Sequence, residues 1–127
     1  MDTEITEAIR KATEVMAHYK GHEALAASMD LARIANGYVE DRQPWSQAKD
    51  PEASGDLDQT LATLTRALIV LCALFEPVTP AKMAEMALSL GLDGIPTLEE
   101  SRSLELAGRQ VSRGKPLFPR IEPSWAV

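Results

Sequence analysis

The 127-residue sequence predicts an all-α protein, a helical bundle of four to five helices closed by an extended C-terminal strap. Three observations carry that prediction. Ala and Leu dominate a composition that is 45% hydrophobic but only 5% aromatic, a profile that favours helices over sheets. Apolar residues recur at spacings of three and four through four long segments. Pro and Gly cluster where those patterns stop. The length suits one domain with a real core. The bundle is expected over residues 1–107, incomplete at its N-terminal side, and the strap over 108–127.

The first helix is expected from Asp2, a plausible N-cap, to about Tyr19, with Ile5, Ile9, Ala12, Val15, Met16 and Tyr19 at helical spacing. Gly21 marks a break. The second helix runs from about Glu23 to Asp41. It carries Leu25, Met29, Ala32 and Val39 on one face and Leu31, Ile34 or Ala35, and Tyr38 on an adjoining one. Gly37 within it costs up to about 1 kcal/mol relative to Ala. Asp50 to Gly55 reads as a loop.

The third helix is the clearest. Leu57, Leu61, Leu64, Leu68, Leu71 and Phe75 recur at intervals of four and three, and every residue from Ala67 to Phe75 is apolar. Its second half should therefore be surrounded on most sides as the central core helix, rather than form a dimer zipper. At 1.5 Å per residue it reaches roughly 30 Å. Pro77 ends it. Thr79 is placed to cap a fourth helix with Pro80 at its first position, stopping at Gly91 after Leu90. Thr97 with Glu100 forms a capping-box pattern for a short helix to about Ala107. Beyond Gly108, Gly114, Pro116, Pro119 and Pro123 forbid a long helix. Val111, Leu117, Phe118, Ile121 and Trp125 are expected as an extended strap over the helices.

Charge and chemistry exclude much. The net charge is −6, against the basic surface that grips nucleic-acid backbones. Residues 101–127 carry five basic and two acidic groups, a net +3, and residues 1–100 carry eight and seventeen, a net −9. RNA contact by the helical part would rest on stacking and base edges more than on phosphate neutralisation. No run of about 18 uncharged apolar residues occurs, so no membrane span is expected, and the acidic start lacks the basic region of a targeting peptide. The single Cys72 lies in an apolar run and reads as a small buried hydrophobe in a reducing cytoplasm. His18 and His22 are four apart but lack further ligands, so no metal site is expected. Glycine-rich phosphate loops and nucleophile arrangements are missing. The sequence describes a binding domain.

The candidate site lies at the end of the second helix. Pro44 removes a backbone donor and drives Gln43 out of the right-handed α region, so the helix stops and Trp45 lands in the connection. A rigid aromatic there suits stacking on a planar partner, of which nucleobases are the commonest. Residue type alone favours the opposite, a plug folded back over the core, since large aromatics are highly buried on average.

An ordered series of residues resembles the C-terminal helical domain of methionyl-tRNA synthetases. It comprises Glu23-Ala24-Leu25, Ala35-Asn36 with Tyr38, Pro44-Trp45, Ala48-Lys49-Asp50, the apolar helix to Phe75-Glu76-Pro77-Val78-Thr79-Pro80, Leu90-Gly91, and Leu117-Phe118-Pro119-Arg120-Ile121. Each piece is common; their order, over nearly the whole chain, is not. The resemblance implies an anticodon-binding bundle in which Trp45 stacks on a base of the methionine tRNA anticodon loop. Arg42 becomes a candidate phosphate or base contact, with a solvated surface charge as the equal alternative. Asn36 joins the candidate anticodon contacts, though a bracing hydrogen bond suits it better than base reading. The strap, through Leu117, Phe118 and Arg120, would dock toward the catalytic domain.

That domain, in the cytoplasmic parent enzyme, binds ATP and methionine and ligates the amino acid to its tRNA. This chain alone implies no cofactor, no DNA and no catalytic residue. Its Lys82-Met83-Ala84-Glu85 lies inside a helix and is not the family's nucleotide-site motif. The family's earlier anticodon-reading helix also has no counterpart here, so a C-terminal piece is expected. Gly37 stands where a basic residue is frequent. A free-standing interaction module derived from this domain is the alternative, and a homodimer through the Leu57–Phe75 stripe a third possibility.

Overall fold

A computed structural model describes residues 1–124; Trp125, assigned to the strap, lies outside the described residues. Among those described there are only helices and their connections: α1 Asp2–Ala17, α2 Gly21–Arg42, a single turn α3 Pro44–Gln47, a 3₁₀ turn Pro51–Ala53, α4 Ser54–Phe75, α5 Pro80–Ser89 and α6 Leu98–Ser103. The chain is all-α, with the expected helices in the expected order and α3 added.

The ends differ from expectation for local reasons. Asp2 lies inside the first turn of α1 and does not cap it. α1 stops at Ala17 because Tyr19 takes a left-handed φ of 59°. The amide of Lys20 then donates to Val15 O at 2.9 Å, closing the turn before α2. α2 starts at Gly21 itself. The supposed loop 50–55 is largely helical. Asp50 accepts the Glu52 amide at 3.0 Å and Pro51 opens the 3₁₀ turn, which runs into α4 at Ser54. Thr79 makes no side-chain cap; its hydroxyl turns back to Phe75 O at 3.4 Å. The capping box at Thr97 and Glu100 is formed, but α6 ends at Ser103 rather than Ala107.

α4 is the spine, packed against α1, α2, α3, α5 and α6. It serves two separate cores. Ala67, Val70, Leu71 and Leu74 pack with Ile5, Ala8, Ile9 and Ala12 of α1 and with Leu31 and Ala35 of α2. Ile69 and Cys72 pack with Ala87 of α5 and with Leu90 and Leu92 beyond it. Facing two layers at once changes which residues are buried. Leu61 and Leu68, counted on the leucine stripe, stand 48% and 37% exposed, while Thr60 and Ala67 are fully buried. A single-seam reading assumes one partner face, and α4 has two. The same shift turns Leu25 and Met29 of α2 outward and buries Ala27, Ser28, Leu31 and Ala35.

Pro51–Phe75 is long and apolar enough to cross a membrane by length and composition alone, although charged residues interrupt its first half. Here it is the central helix of the bundle, and the flanking helices cover chiefly its second half, Ala67 and Ile69–Leu74.

Arg66 has a role its sequence position does not announce. From the middle of α4 its two terminal nitrogens donate to Ser101 O at 2.8 Å and Leu104 O at 2.5 Å. It thus satisfies carbonyls at the end of α6, which a helix C-terminus leaves without intrahelical partners.

Candidate nucleic-acid interface

The corner between α2 and α3 is built from backbone constraints. Gln43 closes α2, its amide donating to Val39 O at 2.9 Å, and sits in the left-handed region at φ 47°, ψ 65°. Pro44, with its fixed φ and no amide proton, opens α3 at a position where no donor is needed. Amides of Ser46 and Gln47 return to Gln43 O at 2.8 and 3.1 Å. Trp45 is therefore the second residue of a one-turn helix, not part of an irregular loop. It is 53% exposed, which removes the plug placement and leaves about half its surface outside. Gln47, two residues on, is half-buried, and α3 as a whole packs on α4.

Arg42 is only partly exposed and leans inward. Its Nε donates to Thr60 Oγ1 of α4 at 3.1 Å, and no bond to either terminal nitrogen occurs among the described residues. Asn36 is exposed on α2, without a side-chain hydrogen bond among the described residues, so the bracing bond expected of it is not made. Tyr38 is half-buried at the same end and lines a depression of about 220 Å³ with Asp2, Gln59 and Thr63. The surroundings are acidic: residues 40–58 hold six carboxylates against Arg42 and Lys49. Phosphate attraction at this corner is weak, and an exposed aromatic face is its main asset.

Among the described residues, the strap's hydrogen bonds to the bundle lie in its first half. Arg109 donates to Glu105 O at 2.6 Å and to Gly91 O at 3.2 Å, and the Ser112 amide to Ser89 O at 2.8 Å. Beyond that, Leu117 is half-buried, Arg120 is exposed, and Phe118 and Ile121 are 66% and 89% exposed. Phe118 and Ile121 do not lie down on the bundle.

Among the described residues, the clefts away from this corner bring together no nucleophile with a base. The apolar groove at the far end, about 380 Å³, is lined by Met16, Leu25, Leu74, Val78 and Leu98 among others, with no ionisable side chain. His18 and His22 are both exposed, and no three His, Cys, Asp or Glu among the described residues are grouped to hold a metal. Burial pushes the Cys72 thiol up to about 11, so it is no nucleophile.

Among the described residues, the feature that stands out on this helical bundle is one half-exposed aromatic on a proline-initiated turn. The model of the family described as "Anticodon-binding domain of tRNA ligase" matches residues 1–109. The chain belongs to that family. Among curated proteins it is similar to the methionine–tRNA ligase of Deinococcus radiodurans, 39% identical over 102 residues. That match covers 79% of this chain and 15% of the relative. The methionine–tRNA ligase of Methanococcoides burtonii is 32% identical over 123 residues, covering 94% of this chain and 18% of the relative. The chain thus spans under a fifth of the length of both relatives. No solved structure matches.

Proposed function

We propose that this chain is the anticodon-reading part of a cytoplasmic methionine–tRNA ligase. In that role Trp45 stacks on a base of the methionine tRNA anticodon loop. The single observation that carries the reading is the half-exposed indole of Trp45 on a proline-initiated turn in a bundle of this family. Arg42, with its terminal nitrogens unengaged, reaches a neighbouring phosphate or base edge, and Asn36 offers a carboxamide on the same helix. The strap, through Leu117, Phe118 and Arg120, docks on the catalytic domain; exposed apolar rings at a chain segment favour burial against a partner. That domain binds ATP and methionine, so this chain holds no cofactor of its own.

The test is Trp45→Ala, read as tRNA charging by the complete ligase and as binding of the methionine anticodon stem-loop to this chain. The expected loss is about 1–3 kcal/mol, the worth of one base–aromatic stack. Unchanged charging and binding in a normally folded variant would remove Trp45 from recognition. A second reading, a free-standing protein-interaction module, is favoured by the acidic corner. It predicts weak binding that ignores the anticodon sequence and disappears with modest salt.

A further inference from the structure

Thr60 is the one fully buried residue in the first half of α4. From Ser54 to Thr65 every other position is half-buried or exposed. A polar side chain occupies the one place where an aliphatic group would pack without needing partners. Its partners are specific. The Thr60 hydroxyl donates to Asp56 O of its own helix at 2.8 Å, which commits its only proton and leaves a lone pair directed outward. Arg42 Nε donates into that lone pair at 3.1 Å.

Arg42 is the last residue of α2, and the three residues after it set the indole. Gln43 sits in a left-handed conformation that a residue with a Cβ holds only shallowly. Pro44 is locked by its ring. Gln43 is therefore a strained joint between α2 and Trp45, held by its backbone hydrogen bonds to Val39, Ser46 and Gln47, and the bond from Arg42 to Thr60 clamps the helix end immediately before it. We infer that Thr60 is a positioning residue for the Trp45 indole, acting through Arg42 across the gap between α2 and α4. The consequence for binding rests on the base-stacking reading of Trp45; the consequence for indole motion does not.

The experiment uses the 127-residue chain with Trp125→Phe, so that Trp45 is its only indole. Thr60→Val keeps the shape and removes the hydroxyl; Thr60→Ser keeps the hydroxyl. Time-resolved fluorescence anisotropy reads the fast local motion of the indole, and titration with the methionine anticodon stem-loop reads affinity. Thr60→Val should increase the amplitude of fast motion and weaken the stem-loop by about fivefold, the effect of losing one modest positioning bond. Thr60→Ser should restore both, and the thermal midpoint of Thr60→Val should not account for the change. Parent-like indole motion in Thr60→Val, or failure of Thr60→Ser to restore it, overturns the inference. If Trp45→Ala leaves stem-loop affinity untouched, the stacking reading fails, and the anisotropy comparison still decides the role of Thr60.

Discussion

Trp45 stays at the surface because backbone geometry outranks its own hydrophobicity. The proline told of the helix end, but the left-handed Gln43 was not legible, since Gly and Asn are the residues that usually signal that conformation. The inward lean of Arg42 was also hidden, because its partner Thr60 lies eighteen residues away on another helix. Cys72 was easier: an apolar run on all sides means burial whatever the partner. Its thiol, fully buried and pushed up to about 11, leaves about one molecule in a thousand as thiolate at pH 8. Iodoacetamide at that pH should leave the native chain unmodified over an hour and label it fully in denaturing urea. Rapid native labelling would show that the second core opens readily.

At the scale of elements, spacing located every long helix and the buried face of α1, but it misplaced Leu25 and Met29 of α2 and Leu61 and Leu68 of α4. Periodicity reports that a helix has an apolar side; it does not report how many neighbours share it. Leu68 points between the two cores that α4 serves, so it is exposed despite its place in the stripe. Gly91 shows the opposite case, where one residue type carries the whole argument. It ends the α5 region at φ 80°, and a Cβ there would lie 2.8 Å from Gln110 O of the strap. Gly91→Ala therefore meets both backbone strain and a clash with main chain. It should lower stability by about 1–3 kcal/mol in urea denaturation. Gly94→Ala, with open space at its Cβ and no positive φ, should change stability by less than about 0.5 kcal/mol.

Across the whole molecule the division into a helical bundle and a proline-rich tail follows from composition, since Pro and Gly cannot be accommodated inside long helices. What composition does not disclose is that the tail's hydrogen bonds to the bundle, among the described residues, come from residues 109–112, leaving Phe118 and Ile121 in solvent. Nor does it disclose that α1 and α2 form one layer and α5 another, with α4 shared between them. That sharing has a kinetic consequence. Amide protons of Ile69–Leu74, all buried residues of the shared helix, should exchange last and report the global unfolding free energy. Amides of α3, a single turn held on one side, should exchange by local opening orders of magnitude sooner. The turn that presents the indole can thus loosen and re-form around a partner while the spine behind it stays shut.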